Sequence, residues 1–71
     1  MKRKLGVVFA NTMNELNFKA MGYNHDHCYH LFRGKTGDIC DEYKYKHLMT
    51  EEKEYCLIYE EDIPYIPKEN E

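Results

Sequence analysis

The chain has 71 residues, 42% of them hydrophobic and 32% charged, with a formal net charge of -3, which suits one globular core and excludes a second domain. A core this small hides only about 60% of the surface its unfolded chain exposes, so self-association is among the expected ways of supplementing its stability. With Arg3 and Arg33 as the only arginines, the acidic balance argues against direct nucleic-acid binding, which needs a dense stripe of Lys and Arg to neutralise phosphates.

Lys2-Arg3-Lys4 before Leu5–Ala10 resembles the opening of a signal peptide, but polar Asn11 ends the apolar stretch before a full h-region is reached. No segment approaches the ~18 apolar residues that a membrane span requires. No membrane association is expected, and the chain reads as a cytoplasmic protein. Leu5–Ala10 itself is rich in β-branched and aromatic residues and predicts a strand buried on both faces, inside the sheet.

Thr12-Met13-Asn14-Glu15 has the Thr-x-x-Glu form of a capping box, so a helix is expected from about Thr12 to Met21. Met13, Leu16 and Ala20 share its apolar face, and Gly22 is placed to take a left-handed conformation at its end. From His27 to Arg33 the residues alternate as in a strand, which sets Cys28, His30 and Phe32 on one face and His27, Tyr29 and Leu31 on the other. Gly34-Lys35-Thr36-Gly37 predicts a turn into a further strand within Asp38–His47. Thr50 before Glu51 and Glu52 predicts an N-cap and one or two helical turns. Tyr55–Tyr59 predicts the last strand. Pro64 and Pro67 then forbid regular ladder bonding, so residues 64–71 read as an extended, mobile tail after a domain spanning 1–63. The expected fold is α+β: a sheet of three or four strands with one main helix on one face, in the order β-α-β-β-short α-β.

Three cysteines, Cys28, Cys40 and Cys56, are an odd number without a Cys-x-x-Cys pair. Free thiols in a reducing compartment follow. His25, His27, Cys28 and His30 form the densest set of metal-ligating types, but their spacing fits no standard zinc motif and the segment would need Cys40, His47 or Cys56 from elsewhere to complete a tetrahedron. Neither a metal nor any other cofactor is expected. Gly34–Gly37 lacks the upstream glycine of a phosphate-binding loop and reads as a turn.

The remaining anomaly is aromatic. Of seven tyrosines, Tyr43, Tyr45, Tyr55, Tyr59 and Tyr65 lie in the half that also carries Glu51, Glu52, Glu60, Glu61 and Asp62. Exposed Tyr supplies interface area at low entropic cost, and carboxylates steer basic partners. These ten residues are the expected partner-binding face of a non-enzymatic module that occludes or regulates a protein with a basic surface, of the kind phages and mobile elements carry against host machinery. The rival reading is a metal-binding or His-dependent, nuclease-like hydrolytic domain centred on His25–His30.

Overall fold

In a computed structural model the described residues are 2–39 and 42–63, for Glu42 and Tyr43 the backbone alone. Three strands, β1 (Lys2–Ala10), β2 (Cys28–Lys35) and β3 (Tyr55–Ile63), form one sheet in the order β1-β3-β2, with β3 antiparallel to both neighbours. β1 and β2 therefore run parallel to each other with β3 inserted between them, a split βαβ arrangement. The helix α1 (Met13–Ala20) lies in the crossover from β1 to β2. A small α+β domain is what the sequence predicts, with three strands.

β1 is an edge strand, and the central position belongs to β3, contrary to the expectation for Leu5–Ala10. The reason is burial on both faces: Cys56, Leu57, Ile58 and Tyr59 are all buried, whereas β1 is buried only at Phe9 and Ala10 and begins with exposed Lys2, Arg3 and Lys4. Charged residues are tolerated on an edge and disfavoured in a strand covered on both faces. β3 also continues past Tyr59 to Ile63. Its acidic end has basic neighbours to pair with, since Lys4 lies opposite Glu61 and Arg3 opposite Asp62.

The core is two clusters, one on each face of β3. On the helix side Leu57 packs with Ala10, Leu16 and Ala20, with Val8 and Tyr55 at its margin. α1 is started as the sequence predicts: the Thr12 hydroxyl accepts from the Glu15 N–H at 3.1 Å, and the Glu15 carboxylate reaches back to the Asn11 N–H at 3.3 Å. The Lys19 ammonium then donates to the Phe9 carbonyl at 2.9 Å and pairs with Glu15 at 3.3 Å, tying the helix to β1. At its far end α1 tightens into a 3-10 turn, Met21–Tyr23, and no described glycine has positive φ, so Gly22 does not reverse the chain as expected. The tightened turn sets the Tyr23 ring 4.5 Å from that of Tyr59.

On the other face, called here the far face, Phe9, Cys56 and Ile58 are covered by Phe32, Ile39, Tyr45, Leu48 and Met49. Part of this cover is helical, Tyr45 coming from a short helix and Leu48 from a 3-10 turn. Where a strand is expected within Asp38–His47, the chain makes a 3-10 turn at Thr36–Asp38, the short helix α2 at Glu42–Tyr45 and a 3-10 turn at Lys46–Leu48. Tyr45, Leu48 and Met49 stand at i, i+3 and i+4, a helical spacing that turns all three onto the sheet. The helical turns expected after Thr50 are absent, because the chain there is drawn out along the end of β2: the Thr36 hydroxyl donates to the Lys53 carbonyl at 2.8 Å and the Thr36 N–H to the Glu54 carbonyl at 2.9 Å. The expected tail, 64–71, lies outside the described residues.

Gly6 makes room for Tyr59. A Cβ at Gly6 would stand 2.5 Å from the Tyr59 hydroxyl oxygen, and that ring is buried and stacked on Tyr23, so it has little freedom to retreat. Gly6→Ala is expected to cost about 1–3 kcal/mol, the usual penalty of overpacking. Chemical denaturation measures it, and an unchanged midpoint would contradict this packing.

Candidate functional site

Side chains on an antiparallel pair share a face with their cross-strand partners. The register of β1 and β2 on β3 therefore sorts the charged end of the sheet into two sets. On the helix side are Lys4, Glu61 and Cys28, followed by Tyr59 and His30. On the far face are Arg3 and Asp62, followed by the three-residue row Leu5–Glu60–Tyr29. The cover formed by Ile39, Tyr45, Leu48 and Met49 rests on the other half of the far face, around Phe9, Cys56 and Ile58.

In that row Leu5 is 41% exposed and Tyr29 47% exposed, one on each side of Glu60. Arg3 reaches the Glu60 carboxylate at 3.2 Å. Asp62 holds the strand end by donating its N–H to the His27 carbonyl at 2.7 Å, while its Oδ1 is enclosed and accepts no hydrogen bond among the described residues. The result is a surface with two half-exposed apolar flanks and a partly buried carboxylate between them.

The expected partner-binding residues do not form one continuous face. Glu51 and Glu52 are exposed in the segment that enters β3, and Glu60, Glu61 and Asp62 lie at its other end, separated by about 25 Å of strand. Within the second group Glu61 faces the helix side and Glu60 and Asp62 the far face. Tyr45 and Tyr55 are half-buried at the margins of the two core clusters, and Tyr59 is buried beneath Tyr23. The Tyr43 side chain and Tyr65 lie outside the described residues.

Arg3, Leu5 and Tyr29 were not among the residues singled out from the sequence. The signal for Arg3 is the matching charge of Lys2-Arg3-Lys4 and Glu60-Glu61-Asp62, which reads as an antiparallel pair once both segments are taken as strands. Leu5 and Tyr29 become neighbours only through β3, and no local pattern carries that.

His25 and His27 are exposed in the loop before β2, and Cys28 opens the strand as a buried residue. The His30 ring is held through Nε2, which donates to the Tyr23 carbonyl at 3.0 Å. Among the described residues no three His, Cys, Asp or Glu side chains come close enough to hold a metal ion. Cys40 lies outside them. Cys28 and Cys56 are free and buried on opposite faces of the sheet. Burial pushes both thiols above their ordinary value, with Glu61 adding to the rise at Cys28 and a Thr36 hydrogen bond opposing it at Cys56. Burial likewise raises the Tyr59 phenol, helped by its neighbour Tyr23. These shifts oppose thiolate chemistry at neutral pH.

Among the described residues no helix is long and apolar enough to cross a membrane. The chain matches no protein-family model, no curated protein and no solved structure.

Two outcomes are expected. Replacing Glu60, Glu61 and Asp62 together by Lys would set three cations against Lys2, Arg3 and Lys4, so the melting temperature should fall, and added salt should recover part of the loss by screening. A fall that salt does not touch would mean that packing, not charge, holds this end. Separately, groups whose pKa is raised by folding, as at Cys28, Cys56 and Tyr59, keep their protons when the unfolded chain has lost them. Their contribution is complete below the unfolded value and is lost as pH rises. The melting temperature should therefore drop between neutral pH and about pH 10, and the drop should be smaller in Cys56→Ala. An identical drop in that variant would show that the Cys56 thiol plays no part.

Proposed function

We propose that this chain is a small non-enzymatic binding module that occludes or regulates a protein partner with a basic surface, and that it does so through the open half of the far face. The observation that carries the reading is the row Leu5–Glu60–Tyr29, in which two half-exposed apolar side chains flank a carboxylate across all three strands. Tyr29 can bury a large ring while its hydroxyl stays hydrogen-bonded, and Leu5 adds apolar area on the far side. A Lys or Arg from the partner would compete with Arg3 for Glu60, so the carboxylate selects the partner's charge and the flanks supply contact. Glu51 and Glu52, exposed at the other end of β3, would act at longer range by steering the encounter. The free, widely separated Cys28 and Cys56 suit work in a reducing cytoplasm.

A photo-crosslinking phenylalanine analogue at position 29, with the same analogue at position 14 on the outer side of α1 as control, tests the surface in an extract of the native host. A specific protein should be captured from position 29 and not from position 14. Leu5→Ser with Tyr29→Ser should weaken binding to the captured protein by about tenfold or more, as loss of interface anchors does, and association should slow as salt rises beyond ~0.15 M. His25→Ala with His27→Ala should leave both unchanged. If the histidine pair abolishes binding while the far-face pair does not, the function lies in the histidine segment.

A further inference from the structure

The second surface with chemistry of its own lies between α1 and β2, and it exists because of a β-bulge. β2 pairs with β3 as His30↔Tyr59 and then Phe32↔Ile58, so one extra residue is inserted between His30 and Phe32. In an unbroken strand residues 30 and 33 would point to opposite faces. The inserted residue reverses the alternation: Phe32 turns onto the far-face core, and His30 and Arg33 both face the helix side. There they meet Asn17 and Ala20 from α1, Met21 from the 3-10 turn that follows it, and Asn24 just beyond that turn. These six residues line an open cleft of about 60 Å³.

The lining is one-sided in its chemistry. Arg33 supplies a fork of N–H donors and a permanent positive charge, and Asn17 and Asn24 each bring an amide NH₂ from the opposite wall. Among the described residues no carboxylate lines the cleft and Arg33 makes no ion pair. His30 is fixed as a wall by its bond to the Tyr23 carbonyl. The volume equals roughly two water molecules, enough for a small anion and too little for a ring. Beside it, Phe18 of α1 and Met21 of the 3-10 turn that follows are 75% and 71% exposed, an apolar surface next to a polar cleft.

We infer that the cleft between α1 and β2 binds the phosphate group of a phosphate monoester, with Arg33, Asn17 and Asn24 donating to its oxygens and Met21 and Phe18 carrying its carbon body. A planar carboxylate would be satisfied by the Arg33 fork alone. A tetrahedral anion offers further oxygens to donors on a second wall, and here that wall is the Asn pair. The site is on the opposite face from Leu5 and Tyr29 and does not rest on the protein-binding reading.

The test is a titration of the intact chain with inorganic phosphate and with phenyl phosphate, at constant ionic strength, followed by NMR of the Asn side-chain amides and the Arg33 guanidinium. Saturable shifts at Asn17, Asn24 and Arg33 are expected with both probes, with phenyl phosphate the tighter. Arg33→Gln should weaken both by about tenfold or more, the loss of a hydrogen-bonded charge. Phe18→Ser with Met21→Ser should remove the advantage of phenyl phosphate and leave inorganic phosphate unchanged. Arg33 and Phe18 are exposed, so both variants should keep the wild-type melting temperature. Linear shifts, or shifts equal in wild type and Arg33→Gln, would overturn the assignment. A tighter response to acetate than to phosphate would overturn the choice of anion.

Discussion

The last strand of the chain is the middle strand of the sheet, and the rest of the structure depends on that placement. β1 and β2 have no contact as strands until β3 lies between them, so the sheet closes only when Lys2 meets Ile63 and Cys28 meets Glu61. Closing such distant pairs costs loop entropy before any burial offsets it. The compensation is concentrated in β3. Its four consecutive buried residues, Cys56 to Tyr59, serve both core clusters at once, Leu57 meeting α1 and Cys56 and Ile58 meeting the cover of the far face. A one-residue slip would exchange these two sets and place Glu60 on the helix side, so the pattern of β3 fixes its register on both neighbours.

Charge reinforces that register at the end where burial is weakest. The basic start of β1 and the acidic end of β3 look like opposite poles of the chain when read along the sequence. Antiparallel pairing superimposes them: Arg3 lies against Asp62 and bonds Glu60, and Lys4 lies against Glu61. Each exposed pair is worth little alone, about 0–1 kcal/mol. Their value is in specificity, because a shifted or parallel pairing would lose the match. The acidic segment therefore has a structural duty as well as an available carboxylate, which is why its residues cannot all be treated as a free recognition surface.

What the sequence makes legible is what local chemistry decides. Thr12 and Glu15 announce the start of α1 because their bonds close within four residues, and Tyr55–Tyr59 announces a strand because β-branched and aromatic residues fit a pleat. The position of β3 between the other two is set by competition among distant segments, and Leu5–Ala10 is apolar enough to suggest the centre. The segment after Gly34 misleads for a similar reason. Its glycines and polar residues fit a hairpin, yet the far face needed a cover and Tyr45, Leu48 and Met49 have helical spacing. The bulge left no advance sign, since alternation from His27 to Arg33 is equally good without it. Hence the tyrosines expected on a surface include core residues, Tyr59 above all, whereas Tyr29, outside that set, is exposed.

That bulge also explains how a sheet of three strands can present two unrelated surfaces. Before it, Tyr29 looks out from the far face beside Glu60, and His30 looks toward α1. Past it, Phe32 packs against the far-face core, as Tyr45 and Leu48 do, and Arg33 returns to the helix side next to His30. Without the extra residue Arg33 would enter the apolar cluster around Ile58, where an unpaired guanidinium is costly to bury, and Phe32 would leave it and open a cavity there. One inserted residue therefore keeps the far-face core apolar and moves the cation to the cleft lined by Asn17 and Asn24. The two surfaces lie on opposite sides of the same strand, so a ligand at one would not block the other.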